Sequence, residues 1–221
     1  GMATTLEQVA TALSSAYPLI VVLSPEEDRV ERLIQRFAAG AKPQPLPVTA
    51  WNCVDGFPER PGSTDPLAAL SWVAGEAPRG FFVFKDLHAL LPGNRGLLRR
   101  LRDTVAAIRN TGRFIYLLAP ELELADELKP MSYVVHSLFP DEAEVTATVT
   151  QVFQAARRPL DVNALGLLVG SLRGMSLMEV EHLLRRLLNR HQATGPEFME
   201  DVLAEKEQVM RKEGILEFVP P

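Results

Sequence analysis

The sequence predicts an α/β protein with a parallel five-stranded sheet, helices on both faces of that sheet, and a small all-helical region at the C-terminal end. Short apolar runs such as Leu19–Leu23 and Gly80–Phe84 alternate with amphipathic segments up to about Pro140, as is typical of strands buried on both faces. Beyond Pro140 the apolar residues recur only at helical spacing. One such helical set is Val180, Leu183, Leu184, Leu187 and Leu188.

The predicted elements follow one another in a regular order. Helical spacing after Thr4 indicates a first helix, and the apolar residues 18–23 indicate the first strand. The sequence Ser24-Pro25-Glu26-Glu27 then predicts a helix start, with Ser24 as the N-cap and Glu27 completing a capping box. Residues 52–64 are rich in Gly, Pro and polar residues and predict a long surface loop. Further strands are predicted near residues 46–51, 80–84, 114–119 and 133–138, and further helices near residues 65–75, 94–110 and 195–212.

The composition excludes several classes of protein. The chain has 23 Lys and Arg against 28 Asp and Glu, a net charge of −5, which does not favour a nucleic-acid coat protein or a polybasic membrane binder. Cys53 is the single cysteine, so no intramolecular disulfide forms and a cytoplasmic location is expected. The apolar runs are too short to cross a bilayer. No histidines stand at metal-binding spacing, and we expect neither a metal nor a cofactor.

Several short motifs resemble those of AAA+ ATPases, which have a P-loop NTPase-like fold. Residues 81–90, Phe-Phe-Val-Phe-Lys-Asp-Leu-His-Ala-Leu, resemble the strand that carries two acidic residues in such modules. Residues 138–144, Leu-Phe-Pro-Asp-Glu-Ala-Glu, are similar to the fifth strand and the step into the helical lid. Residues 174–180, Gly-Met-Ser-Leu-Met-Glu-Val, are similar to the start of the second lid helix.

The resemblance implies a domain organisation. Residues 1–142 would form the α/β core, residues 143–214 the helical lid, and residues 215–221 a linker. More narrowly, the chain resembles the N-terminal part of a bacterial and chloroplast-type AAA+ ATPase, which carries a degenerate ATPase-like region ahead of its working module. The resemblance therefore implies that an ATPase module follows Pro221 in a longer protein.

The phosphate-binding loop that the resemblance implies is absent from this sequence. Its position between the first strand and the next helix is occupied by Ser24-Pro25-Glu26-Glu27-Asp28, with no glycine and no lysine. Pro25 removes one backbone N–H donor. The three carboxylates stand at the positive end of the predicted helix, where they stabilise the helix and repel a polyphosphate.

The other positions of the implied nucleotide site are altered as well. Lys85 stands where the resemblance implies a metal-binding Asp, and Asp86 stands where it implies the residue that polarises water. After the fourth strand, Pro120 and Glu121 replace the expected polar pair. Arg173 is a candidate phosphate sensor, with a solvated or lid-packing role as the alternative. We therefore predict a vestigial nucleotide site with no catalytic residues.

A second candidate site is a strip of arginines, predicted on one face of a single helix opposite its leucines. The strip would bind an anionic partner, such as nucleic acid or an acidic surface of a neighbouring subunit. A solvated helix face is the alternative interpretation. The arginines of the strip are Arg95, Arg99, Arg102, Arg109 and Arg113.

Together these patterns predict a non-catalytic AAA+-like module at the N-terminal end of a larger ATPase. It would serve assembly, regulation or substrate docking through protein partners or through a downstream ATPase module of the same chain. Two alternatives remain open: a weak ATP-binding or ATPase module with an atypical site, and a nucleic-acid-binding module that uses the arginine strip. No membrane partner is expected, and the intact protein is compatible with an oligomer.

Overall fold

The structure, a computed structural model, describes residues 17–136 and 139–212. The chain divides into two compact units, residues 1–138 and residues 139–221. The first unit contains a β-sheet with helices, and residues 139–212 of the second unit form helices and connecting segments. The helix predicted after Thr4 and the linker predicted at residues 215–221 lie outside the described residues.

The first unit is built on a five-stranded sheet in the order β2-β3-β4-β1-β5, in which every neighbouring pair is parallel. The predicted α/β fold with a parallel five-stranded sheet is thereby confirmed. Because the strands are parallel, their carboxyl ends open at one edge, the usual location of ligand sites in such sheets. The strands are β1 (Leu19–Leu23), β2 (Val48–Trp51), β3 (Gly80–Phe84), β4 (Arg113–Ala119) and β5 (Ser132–His136).

Helices cover both faces of this sheet, as the continuous apolar strands predict. Successive residues of β1 point to opposite faces, so Val21 packs with the cluster that includes Leu70 and Leu101, whereas Val22 packs with the cluster that includes Val30. The helices are α1 (Glu27–Ala39), α2 (Pro66–Gly75), α3 (Leu87–Leu90) and α4 (Arg95–Ile108).

The described residues of the second unit, 139–212, form four helices around a core of their own. Its helices are α5 (Glu142–Ala155), α6 (Val162–Ser171), α7 (Leu177–Arg190) and α8 (Pro196–Lys212). Asp141 and Ser176 begin α5 and α7 with complete capping boxes. The apolar stripe predicted on α7 is buried in the core of this unit. Within the described ranges, no helix combines the length and the apolar character needed to cross a membrane.

The segment between β2 and α2, predicted as a surface loop, contributes one residue to the core. The Phe57 side chain is 2% exposed and its ring centroid lies 5.2 Å from that of Trp72 and 5.2 Å from that of Phe84. Ser63 holds the loop in place, because its Oγ accepts from the Phe57 amide at 2.7 Å and its carbonyl accepts from Trp51 Nε1 at 2.6 Å. One hydrogen bond within the loop and one from Trp51 of β2 thus hold this segment, which forms no helix or strand.

We expect the substitution Phe57→Ala to destabilise the protein by about 3–5 kcal/mol, because it leaves a cavity among aromatic side chains. The matched control is Val54→Ala in the same loop, where the side chain is 78% exposed and the expected change is within about 0.5 kcal/mol. Urea unfolding of the two variants measures both values. Similar values for the two variants would show that Phe57 does not anchor the loop.

Candidate functional site

The turn that joins β1 to α1 differs from the predicted helix start. The Ser24 amide donates to the Ala119 carbonyl at 2.9 Å, which continues the pairing of β1 with β4. Ser24 Oγ accepts from the Glu26 amide at 3.2 Å, and α1 begins at Glu27 with Glu26 as its N-cap residue and no side-chain capping bond. The predicted N-cap role of Ser24 and capping box of Glu27 are therefore wrong, because the Ser24 amide is bonded to the end of β4 and the helix begins only at Glu27.

An ion pair lies where the strand ends meet α1. Lys85 directly follows β3, and its Nζ lies 2.7 Å from Glu31 Oε2, one turn beyond Glu27 in α1. The two side chains are 21% and 19% exposed. The hydrogen bond to Glu31 raises the pKa of Lys85, and Glu27 and Asp28 add to this effect against partial burial. The cation at this edge of the sheet is therefore supplied by the protein and is already paired.

Negative charge exceeds positive charge around this ion pair. Partial burial raises the pKa of Glu27, and the neighbouring carboxylates of Asp86, Asp28 and Glu31 raise it further, although Lys85 acts in the opposite direction. Arg29 of α1 lies 3.3 Å from Glu26. Lys85 and Arg29 are thus outnumbered by the carboxylates near the start of α1.

The Asp86 carboxylate is also engaged. Its Oδ2 accepts from the backbone amide of Cys53 at 3.1 Å, which ties the loop after β2 to the end of β3. A hydrogen bond to Asp86 raises the pKa of the Cys53 thiol, so the thiol stays protonated and weakly nucleophilic at neutral pH. Asp86 occupies the N-cap position of α3 but makes no side-chain capping bond there. Its observed role is to hold two strand ends together.

The remaining predicted site residues lie apart from the ion pair or make other contacts. Pro120 and Glu121 are exposed after β4, and Glu121 lines a separate cavity with His88 and several leucines. Arg173, in the helical unit, is exposed and lies 4.0 Å from Glu142. Across residues 17–136 and 139–212, no three His, Cys, Asp or Glu side chains are grouped to hold a metal ion.

Sequence reasoning missed Glu31, the partner of Lys85. A local signal was present, because Glu27 and Glu31 are one helical turn apart and lie on the same side of α1. The sequence does not show which cation faces that side. Lys85 comes from a strand that is distant in sequence, and only the folded sheet brings it to α1.

The predicted arginine strip is wrong in its extent. The helix that carries it, α4, ends at Ile108, because Asn110 adopts a φ of 61° and Gly112 a φ of 78° and the chain turns into β4. Arg109 is the C-cap residue of α4. Arg113 is the first residue of β4.

The arginines also differ in what they contact. Arg113 Nη1 donates to the Ala74 carbonyl at 3.2 Å, so this residue links β4 to α2. Arg99 lies 3.2 Å from Asp103 on α4, and Arg102 is half-buried. The basic surface that remains on α4 is shorter than predicted, and part of its charge is compensated.

The sequence matches known families over both units. Residues 5–137 match the description "SpoVK-like AAA ATPase, N-terminal domain", and residues 143–213 match "SpoVK-like AAA ATPase, second domain". The chain belongs to the SpoVK-like AAA ATPases. This confirms the resemblance to the N-terminal region of an AAA+ ATPase.

Relatives of this SpoVK-like chain include AAA domain-containing ycf46 proteins. That of Guillardia theta is 26% identical over 221 residues, which cover 95% of this chain and 42% of the relative. That of Trieres chinensis is 23% identical over 220 residues, which cover 96% of this chain and 44% of the relative. The chain thus spans less than half the length of these relatives.

Solved structures share the fold of this SpoVK-like chain. A chain of the E. coli MS115-1 HORMA:CdnC:Trip13 complex has a TM-score of 0.53 at 9% identity, over 93% of this chain and 74% of that chain. C. elegans PCH-2 has a TM-score of 0.50 at 12% identity, over 94% of this chain and 65% of that chain. At these identities the likeness establishes the fold alone.

We expect Lys85→Met to destabilise the protein by about 1–3 kcal/mol, since it leaves Glu31 among other carboxylates without its cation. In a double-mutant cycle with Glu31→Gln, the coupling energy should be about 1 kcal/mol. The control is the exposed pair Arg211–Glu207 on α8, whose side chains are 67% and 55% exposed and whose coupling should be at most about 0.5 kcal/mol. Equal coupling in the two cycles would contradict a special role for Lys85.

We expect Glu27→Gln to stabilise the protein at pH 7 by at most about 0.5 kcal/mol. The pKa of Glu27 in the folded protein is raised from 4.5. Between pH 4.5 and that raised pKa, the folded protein binds more protons than the unfolded chain. Its stability therefore falls as the pH rises through this interval. The gain should disappear below about pH 4, where both states are protonated. Urea unfolding at the two pH values measures the difference.

The matched control for this substitution is Glu197→Gln. Glu197 also lies in the first turn of a helix, α8, where a carboxylate ordinarily stabilises the helix. This variant should therefore be neutral or slightly less stable at pH 7. Stabilisation by both substitutions would indicate a general charge effect and not the local surroundings of Glu27.

Proposed function

We propose that this chain is a non-catalytic AAA+-like module that binds no nucleotide and acts through protein contacts within a larger ATPase. The observation that carries this proposal is the 2.7 Å ion pair between Lys85 and Glu31. It lies beside the first turns of α1, where a phosphate-binding site needs free N–H donors and positive potential. Here the Glu26 amide is bonded to Ser24 Oγ.

Electrostatics support the same proposal. Glu27 and Asp28 occupy the first turn of α1 and offset the positive end of its dipole. Two like charges about 4 Å apart near a protein surface repel by roughly 4 kcal/mol. A triphosphate at this position would face several such carboxylates. The cations there are already paired, Lys85 with Glu31 and Arg29 with Glu26, so binding would require them to exchange these partners.

A role within a larger protein accounts for a module without its own chemistry. The chain covers 42% of the ycf46 protein of Guillardia theta and 44% of that of Trieres chinensis. In this proposal, ATP hydrolysis belongs to the remaining part of a protein of that length. The present chain contributes assembly, regulation or substrate docking.

Isothermal titration of the protein with ATP and Mg²⁺ tests the absence of nucleotide binding. We expect no binding tighter than a dissociation constant of about 1 mM. Tighter saturable binding would contradict the proposal and favour a weak nucleotide-binding module. Loss of that binding in Lys85→Met would assign it to the edge of the sheet beside α1.

Thermal unfolding with and without nucleotide provides an independent measurement. A ligand at 100 times its dissociation constant stabilises the folded state by about 2.7 kcal/mol, which would raise the melting temperature measurably. We expect no increase with ATP and Mg²⁺ beyond that caused by Mg²⁺ and an equal concentration of inorganic triphosphate. An increase specific to ATP would contradict the proposal.

A further inference from the structure

The first unit has an open cleft next to the carboxyl end of β4. Its volume is about 680 Å³, which is within the range of binding clefts for drug-sized ligands. His88 is one of the residues that line this cleft. Its Nδ1 atom is buried and has no hydrogen-bond partner in the described part of the chain. Its apolar lining consists mainly of Leu91, Leu98, Leu122, Leu124 and Leu128.

The wall of this cleft includes an irregular, extended stretch of backbone. Residues 121–125 belong to no helix or strand. Between residues 121 and 124, the described chain provides no backbone hydrogen-bond partner for any amide or carbonyl group. Such a stretch can pair with another extended chain, as a sheet edge does when a peptide is added to it.

Side chains along this stretch alternate in character. Glu121 and Glu123 are exposed, whereas Leu122 and Leu124 are half-buried and pack against the core of the first unit. Alternation of this kind places the leucines on one side and the carboxylates on the other. The stretch therefore presents an apolar surface with an acidic margin.

The acidic margin is only partly compensated. Lys129 lies 2.9 Å from Asp126, and its ammonium also interacts with the Glu123 carboxylate. One cation thus serves two carboxylates, and Glu121 adds a third negative charge to the lining of the cleft. A complementary partner must therefore bring both apolar side chains and positive charge.

We propose that this cleft binds an extended peptide segment of a partner protein in which leucine-like residues alternate with Lys or Arg. The backbone of the segment pairs with residues 121–124, its apolar side chains enter the cleft, and its cations face Glu121 and Glu123. This inference rests on the docking role proposed above and specifies the chemistry of the partner.

Two synthetic hexapeptides test the site on the whole chain. The probe alternates Lys and Leu, and the matched control alternates Glu and Leu. Fluorescence anisotropy should give saturable binding of the Lys-Leu peptide and at least tenfold weaker binding of the Glu-Leu peptide. No saturable binding of the Lys-Leu peptide, or equal binding of both, overturns the proposal. Equally tight binding of free lysine amide also overturns it, because an extended peptide would then be unnecessary.

Charge reversal locates the site. The variant Glu121→Lys/Glu123→Lys should weaken binding of the Lys-Leu peptide at least tenfold. The control Glu197→Lys/Glu200→Lys makes the same change in net charge at two exposed positions of α8 and should change binding less than twofold. An equal loss of peptide affinity in both variants would indicate non-specific electrostatic attraction and would overturn the assignment of the peptide to this cleft.

Amide NMR spectra provide a readout that does not depend on variants. The peptide should shift the signals of His88, Leu122 and Leu124, and shifts confined to other residues overturn the proposal. The nucleotide titration separates this inference from the proposed function. If the protein binds both ATP and the peptide, the peptide site is supported and the proposed function without nucleotide is contradicted. If only peptide binding fails, the peptide site alone is contradicted.

Discussion

The contact between Lys85 and Glu31 links the end of β3 to the first turns of α1, with 2.7 Å between Nζ and Oε2. About four-fifths of each side chain is shielded from solvent, so each charge depends on the other for much of the interaction that water would otherwise provide. This pair also affects the neighbouring carboxylates, because they interact with the same ammonium. Glu27, which shares the ammonium but is not bonded to it, has a raised pKa.

The residues that hold the sheet together differ from those that lie at the carboxyl ends of its strands. The sheet is held by apolar contacts on both faces, such as those of Val22 with Val30 and those of Val21 with Leu101. Neither contact involves the turn at Ser24 or the ion pair. The carboxylates between β1 and α1 therefore do not disturb the packing of β1.

The strands could be predicted from the sequence because burial on both faces requires apolar residues throughout, as in β1 and β3. The start of α1 could not, since Ser24-Pro25-Glu26-Glu27 satisfies the local pattern of a capping box. A tertiary bond, from the Ser24 amide to the Ala119 carbonyl at 2.9 Å, keeps Ser24 in the sheet. The partner of Lys85 was not predicted either, because a pair between residues so distant in sequence leaves no periodic signal.

The altered sequence after β4 has a structural consequence that differs from the loss of a polar residue. Pro120 has no amide hydrogen, and it directly follows Ala119, the last residue of β4 that pairs with β1. The chain leaves the sheet there and continues as the irregular residues 121–125. Their backbone groups remain available beside leucines and carboxylates. Glu121, which stands where the family resemblance implied a polar residue of the nucleotide site, therefore lines the open cleft beside β4.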